Sequence, residues 1–159
     1  MNAIYKLMRT NDDLALFVLR VTLGLVFFPH GAQKVLGWFG GNGFAATMSY
    51  FGQQGMPTPL VLLIMAAEFL GAIGLIVGLL TRVAAFGIVS VMLGAIFMVH
   101  LRFGFFMNWQ GKQAGEGYEY HLLALAMALA LMIGGAGRWS FDRTLQRTAR
   151  DSRSLPADG

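Results

Sequence analysis

Hydrophobic residues in this chain come in long blocks, and the polar residues gather between them. A helix that crosses the hydrocarbon core needs about 20 mostly apolar residues. Four stretches meet that requirement: Leu14 to Leu36, Pro57 to Leu80, Val83 to Leu101 and Tyr118 to Ala136. The pattern predicts an all-α integral membrane four-helix bundle. The first block is too long for the apolar region of a signal peptide and no small-residue cleavage site follows it, so it reads as a retained helix. Only a tight turn, "LLTRVA", joins the second and third blocks, which must therefore pack as an antiparallel hairpin.

The segments between blocks carry their own patterns. In "GNGFAATMSYFGQQGMPTP", Phe44, Met48 and Phe51 fall at helical spacing between glycine-rich ends, which predicts a short interfacial helix in the first long loop. In "GRWSFDRTLQRTAR", Gly137 stops a helix, Trp139 suits an interfacial anchor and Ser140 suits an N-cap. Arg143, Arg147 and Arg150 then line one face of an amphipathic C-terminal segment and are expected to meet lipid headgroups. The final "DSRSLPADG" reads as disordered. This divides the chain into an N-terminal segment (1–13), a membrane domain (14–143) and a basic tail (144–159), partly disordered. Small residues recur at Ala67, Gly71, Gly74 and Gly78 in the second block and at Gly87, Ser90 and Gly94 in the third. Such residues let helices approach where lipid supplies no hydrophobic drive, so they are expected to serve packing.

Composition sharpens the class. Charged residues make up 13% of the 159 residues, about half the share of a soluble domain. Cysteine is absent, which excludes disulfides and thiolate chemistry within this chain. The net charge of +4 points to anionic lipid rather than nucleic acid, because five of the 12 basic residues crowd the C-terminal end. Four crossings put both termini and the "LLTRVA" turn on one side, with most of the Lys and Arg. The positive-inside bias then predicts cytoplasmic termini.

Against this apolar background the ionisable residues stand out, since such groups inside spans are costly and face the bundle interior. Counting 1.5 Å per residue puts Glu68 about 16 Å deep and Arg20 about 9 Å from the opposite end. An antiparallel alignment sets Glu68 between the levels of Arg20 and His30, where it has a choice of cation. His30 and Lys34, four apart, share a helix face, and Pro29 disturbs the local hydrogen bonding. His100 ends the third block, while Glu119 and His121 begin the fourth. Arg20, His30, Lys34, Glu68, His100, Glu119 and His121 are thus candidates for a polar pocket that opens outward. Its imidazoles and carboxylates suit proton transfer to a bound quinone, a haem axial ligand, or a metal held by His30, His100 and His121. The spacing does not choose among these. Each group also has a structural role open to it, such as an Arg20–Glu68 pair fixing helix register or Lys34 reaching headgroups.

The ordered set "HGAQK", "AAEFLGA", "GLLTR", "MVHLRFGF", "EYHLLAL" and "GRWSFDR" resembles the DoxX family of small four-span bacterial membrane proteins, over about Leu19 to Arg143. The resemblance implies kinship with the membrane subunit of archaeal thiosulfate:quinone oxidoreductase and with members tied to membrane redox complexes in oxidative-stress defence. It implies a quinone-binding component of a redox system with a possible partner subunit, and the seven candidate residues match positions where the family commonly carries polar groups. A non-catalytic scaffold or small-molecule carrier, or a haem- or metal-binding bundle, are the alternatives. Glycine-rich faces also allow a homo-oligomer.

Overall fold

The computed structural model describes residues 7–154, with side chains through residue 148. In chain order the helices are α1 (Leu14–Val35), α2 (Gly43–Gln53), α3 (Thr58–Val77), α4 (Thr81–Ala95), α5 (Glu119–Gly134) and α6 (Phe141–Ser154). A π-helical turn, Ile96–His100, and a 3-10 turn, Leu101–Phe103, prolong α4 into a continuous 23-residue helix. No strand occurs among the described residues. Three helices, α1, α3 and the prolonged α4, are long and apolar enough to cross a membrane. The fourth, α5, has 16 residues and extends about 24 Å, short of the roughly 30 Å hydrocarbon core.

The predicted elements are present, with shifted ends. Asp13 caps α1 by accepting the amides of Ala15 (2.7 Å) and Leu16 (3.2 Å), and α1 then runs unbroken through Pro29. Pro57 leads into α3, where a missing amide costs nothing. The short helix of the first long loop is α2, tied to the end of α1 by the Thr47 hydroxyl, which donates to the Lys34 carbonyl (3.2 Å). Ser140 caps α6 by accepting the Arg143 amide (3.3 Å). That helix continues to Ser154, so the stretch expected to be disordered begins as helix; residues 155–159 lie outside the described ones.

α1 packs chiefly on α3, and α4 lies between α3 and α5. Leu23, Phe27, Leu75, Ile88, Met92 and Leu131 fill the centre with alanines at the close approaches, while Leu63, Phe97, Leu123 and Ile133 point outward. Outward leucine and phenylalanine would be a liability in water and are ordinary in lipid. Glycines set the helix separations. A Cβ at Gly31 would stand 2.5 Å from the Phe69 Cα, so α1 and α3 touch backbone to backbone there. Gly24, one heptad earlier, faces the Ala72 carbonyl on the same seam. In the α3–α4 hairpin, Gly87 meets Ala67, as the small-residue pattern predicts, whereas nothing lies within 4 Å of the position a Cβ would take at Gly94.

Candidate functional site

The polar residues form two clusters at opposite ends of the bundle. At the end that carries the termini, Arg20 is 1% exposed. Its guanidinium donates to the carbonyls of Ala136 (2.8 Å), Leu75 (2.8 Å), Ile76 (2.6 Å), Trp139 (2.5 Å) and Arg138 (3.3 Å). Leu75 and Ile76 end α3, where carbonyls lack helical partners and the helix dipole is negative, so a fork of five N–H donors suits them. The Phe17 ring lies 5.0 Å from the guanidinium carbon. Asp142, equally buried, accepts the amides of Leu80 (2.7 Å) and Thr81 (2.9 Å) that open α4. Its carboxyl is pushed up from its ordinary value by burial, against the pull of the Thr81 and Leu80 amides and of Arg20. Arg82 closes the end of α5 through the Met132 carbonyl and the Ile133 carbonyl (2.9 Å). Among the described residues, the buried Thr81 hydroxyl, on the residue whose amide binds Asp142, has no hydrogen-bond partner here.

Arg20 therefore does not pair with Glu68. Its hydrogen-bond partner Leu75 lies seven residues beyond Glu68 on α3, about 10 Å along the axis, and its long side chain reaches toward its own end of the bundle.

At the other end, which carries the two long loops, Glu68 forms an ion pair with Lys34. The close approach at Gly31 brings α1 near enough for this, and Lys34 also donates to the His30 carbonyl (3.4 Å). His30 itself is exposed at the rim, its ring 6.2 Å from that of Phe27, within electrostatic reach of Lys34 and Glu68. Across the bundle, Tyr120 lies within electrostatic reach of Glu68. The Tyr120 and His121 rings meet edge to face at 5.4 Å, and the His121 and His100 rings lie 4.1 Å apart. The π turn carries His100 into this contact, an irregularity found often at functional sites. His100 Nδ1 lies 2.8 Å from the Glu116 carbonyl. A carbonyl only accepts, so Nδ1 carries the proton and Nε2 of the neutral ring is an acceptor. Two buried atoms here lack partners: the Tyr120 hydroxyl and His121 Nδ1.

Lys34 and Glu68 thus pair with each other and His100 meets His121, while Tyr120 links the two pairs by its contact with His121 and its electrostatic reach to Glu68; His30 lies at the edge. Glu119 is drawn elsewhere, accepting the Met107 amide (2.9 Å) and the Trp109 indole N–H (3.1 Å), which folds the second long loop. Arg143 and Arg138 both pair with Asp12, holding its carboxyl down at about 2. Arg147 is exposed, and the Arg150 side chain lies outside the described ones. No group of three metal-ligating side chains converges among the described residues. Tyr120 and Asp142 emerge from the structure alone; an acid just after an N-cap serine and a tyrosine beside a span histidine were the available signals.

The fold defines the class: a helical integral membrane protein with polar clusters at both ends of its bundle. The DoxX profile matches residues 15–101, more than half the chain, and the chain belongs to the DoxX family. That match includes Arg20, Lys34, Glu68 and His100. CatD of Bacillus subtilis (strain 168), named provisionally as an oxidoreductase, is 31% identical over 124 residues, covering 78% of this chain and 83% of CatD. The inner membrane protein YqjF of Escherichia coli (strain K12) is 26% identical over 140 residues, 88% of this chain and 98% of YqjF. The membrane protein Rv3486 of Mycobacterium tuberculosis (strain ATCC 25618 / H37Rv) is 28% identical over 155 residues, 91% of this chain and 89% of Rv3486. No solved structure matches.

Proposed function

We propose that this chain is a membrane component of a redox system that binds a quinone or a similar small amphipathic molecule at the loop end of the bundle. The observation that carries this is the pair of orphaned buried atoms, Tyr120 Oη and His121 Nδ1, on neighbouring residues of α5, the first within electrostatic reach of Glu68. Buried polar atoms are almost always satisfied, so two adjacent exceptions suit a ligand or the water that replaces it. Glu68, Lys34 and the imidazoles handle protons there. Electrons come from a partner subunit, as befits a relative of a protein named provisionally as an oxidoreductase. The basic residues at the terminal end fit an inner-membrane orientation with both termini cytoplasmic and Arg147 among anionic lipid headgroups.

Quinone suits the donor set better than metal or haem. Only two imidazoles meet among the described residues, and rings 4.1 Å apart leave no room for a haem plane between them. Native mass spectrometry with an absorption spectrum of the detergent-purified chain tests the function. A co-purifying quinone is the expected result. A protein that stays empty when supplied with quinone overturns it and favours a scaffold or carrier.

A further inference from the structure

Tyr120 Oη and His121 Nδ1 are alike in one respect: each can donate or accept a hydrogen bond and neither has a partner. His121 is 6% exposed, so water from outside the bundle reaches little of it. Leaving such groups unpaired is costly, and a bound oxygen atom removes the cost.

The charges around the site narrow what can bring that oxygen. An anion buried in an apolar bundle needs a cation not already spoken for. The Lys34 ammonium is neutralised by Glu68. Arg20 spends its donors on carbonyls at the far end, and Arg102 is exposed, with its guanidinium carbon 4.7 Å from the Phe103 ring. Lys34 and Glu68 lie within electrostatic reach of His30, and Glu68 within that of Tyr120. A negative head group at Tyr120 would thus meet no uncommitted cation among these residues.

Building on the function above, we propose that the site selects an uncharged, oxygen-bearing head group, such as a carbonyl or hydroxyl on an apolar ring, bound by Tyr120 Oη and His121 Nδ1, and that it discriminates against anions. Glu68 then has a second role: by holding Lys34 it withholds that cation from carboxylates and sulfur oxyanions. This goes beyond the choice of a small amphipathic ligand, because it assigns the contacts and the charge state.

Two probes of similar ring size and opposite charge state test it on the full chain in detergent: 1,4-naphthoquinone and 1-naphthoate, with affinity read by titration and by ligand-induced shift in melting temperature. The quinone is expected to bind at least about tenfold more tightly than naphthoate, the equivalent of about one hydrogen bond. Tyr120→Phe is expected to weaken quinone binding about tenfold while leaving the ligand-free melting temperature equal to or above wild type, since it deletes an unsatisfied hydroxyl. His121→Gln, a second variant that does not depend on the first one folding, is expected to weaken the quinone as well. Naphthoate binding as tightly as the quinone, or quinone affinity unchanged in both variants, overturns this inference and leaves the redox-component function standing. A wild-type protein that binds neither probe overturns that function itself.

Discussion

The two ends of the bundle solve the same physical problem in opposite ways. At the terminal end a buried arginine and a buried aspartate have nearly every donor and acceptor matched, to the last turn of α3, the first turn of α4 and the chain after α5. At the loop end an ion pair sits beside two atoms with nothing to bond. A closed polar network rigidifies, because every group in it would be costly to free. An open one keeps capacity for something else. Burial and charge alone therefore do not distinguish the two ends; how fully the hydrogen-bonding groups are matched does.

Breaking the closed cluster should cost most. Arg20→Met frees five carbonyls and leaves Asp142 without its neighbouring charge, so a loss of about 3–5 kcal/mol in detergent unfolding is expected, with probe affinity at the loop end unchanged in whatever folds. Lysine is no substitute, since one ammonium cannot span five acceptors on two segments. Next comes the seam that positions the open cluster: Gly31→Ala should cost about 1–3 kcal/mol by overpacking against Phe69, and should weaken ligand binding by moving Lys34 away from Glu68. Gly94→Ala is the matched control, within about 0.5 kcal/mol of wild type, since open space receives its methyl.

Smaller still is Glu68→Gln. Lys34 is partly exposed and can snorkel once its partner is neutral, so the stability loss should stay near about 1 kcal/mol while the preference for an uncharged ligand falls. An Arg20-sized loss would erase the contrast between the two ends. The smallest effect belongs to Asp12, whose carboxyl titrates at about 2 in the folded chain against an ordinary 3.8 because Arg143 and Arg138 hold it charged. A group with a depressed folded value contributes stability above its unfolded value and loses it as pH falls toward the folded one. The difference in melting temperature between Asp12→Asn and wild type should therefore be constant at neutral pH and vanish between pH 3.8 and about 2.

Much of this was legible in the order of residues. Blocks of apolar residues gave the spans, Gly78 and "LLTR" gave the hairpin, and Ser140 announced α6. Lys34, Glu68, His100 and His121 stood out because ionisable groups in apolar blocks are rare. Glu119 stood out for the same reason and was misplaced: its position at the start of a helix does not reveal that a loop would fold back to donate an amide and an indole to it. Tyr120 was missed because a tyrosine near the end of a span is ordinary as an interfacial anchor.

What the sequence alone determined is length, depth and class: which stretches can cross lipid, how far each polar residue lies from an end, and where helices must turn back. These follow from a fixed rise per residue and from the cost of polar groups in hydrocarbon. Only the tertiary structure decided partners. Arg20 and Lys34 are both basic and both lie on α1, with Glu68 between their levels, yet one spends its charge on helix-end carbonyls and the other on the carboxylate. That choice depends on which face each residue turns to its neighbour, on how far a flexible side chain reaches, and on how closely Gly24 and Gly31 let two backbones approach. A linear count of rises does not contain these quantities.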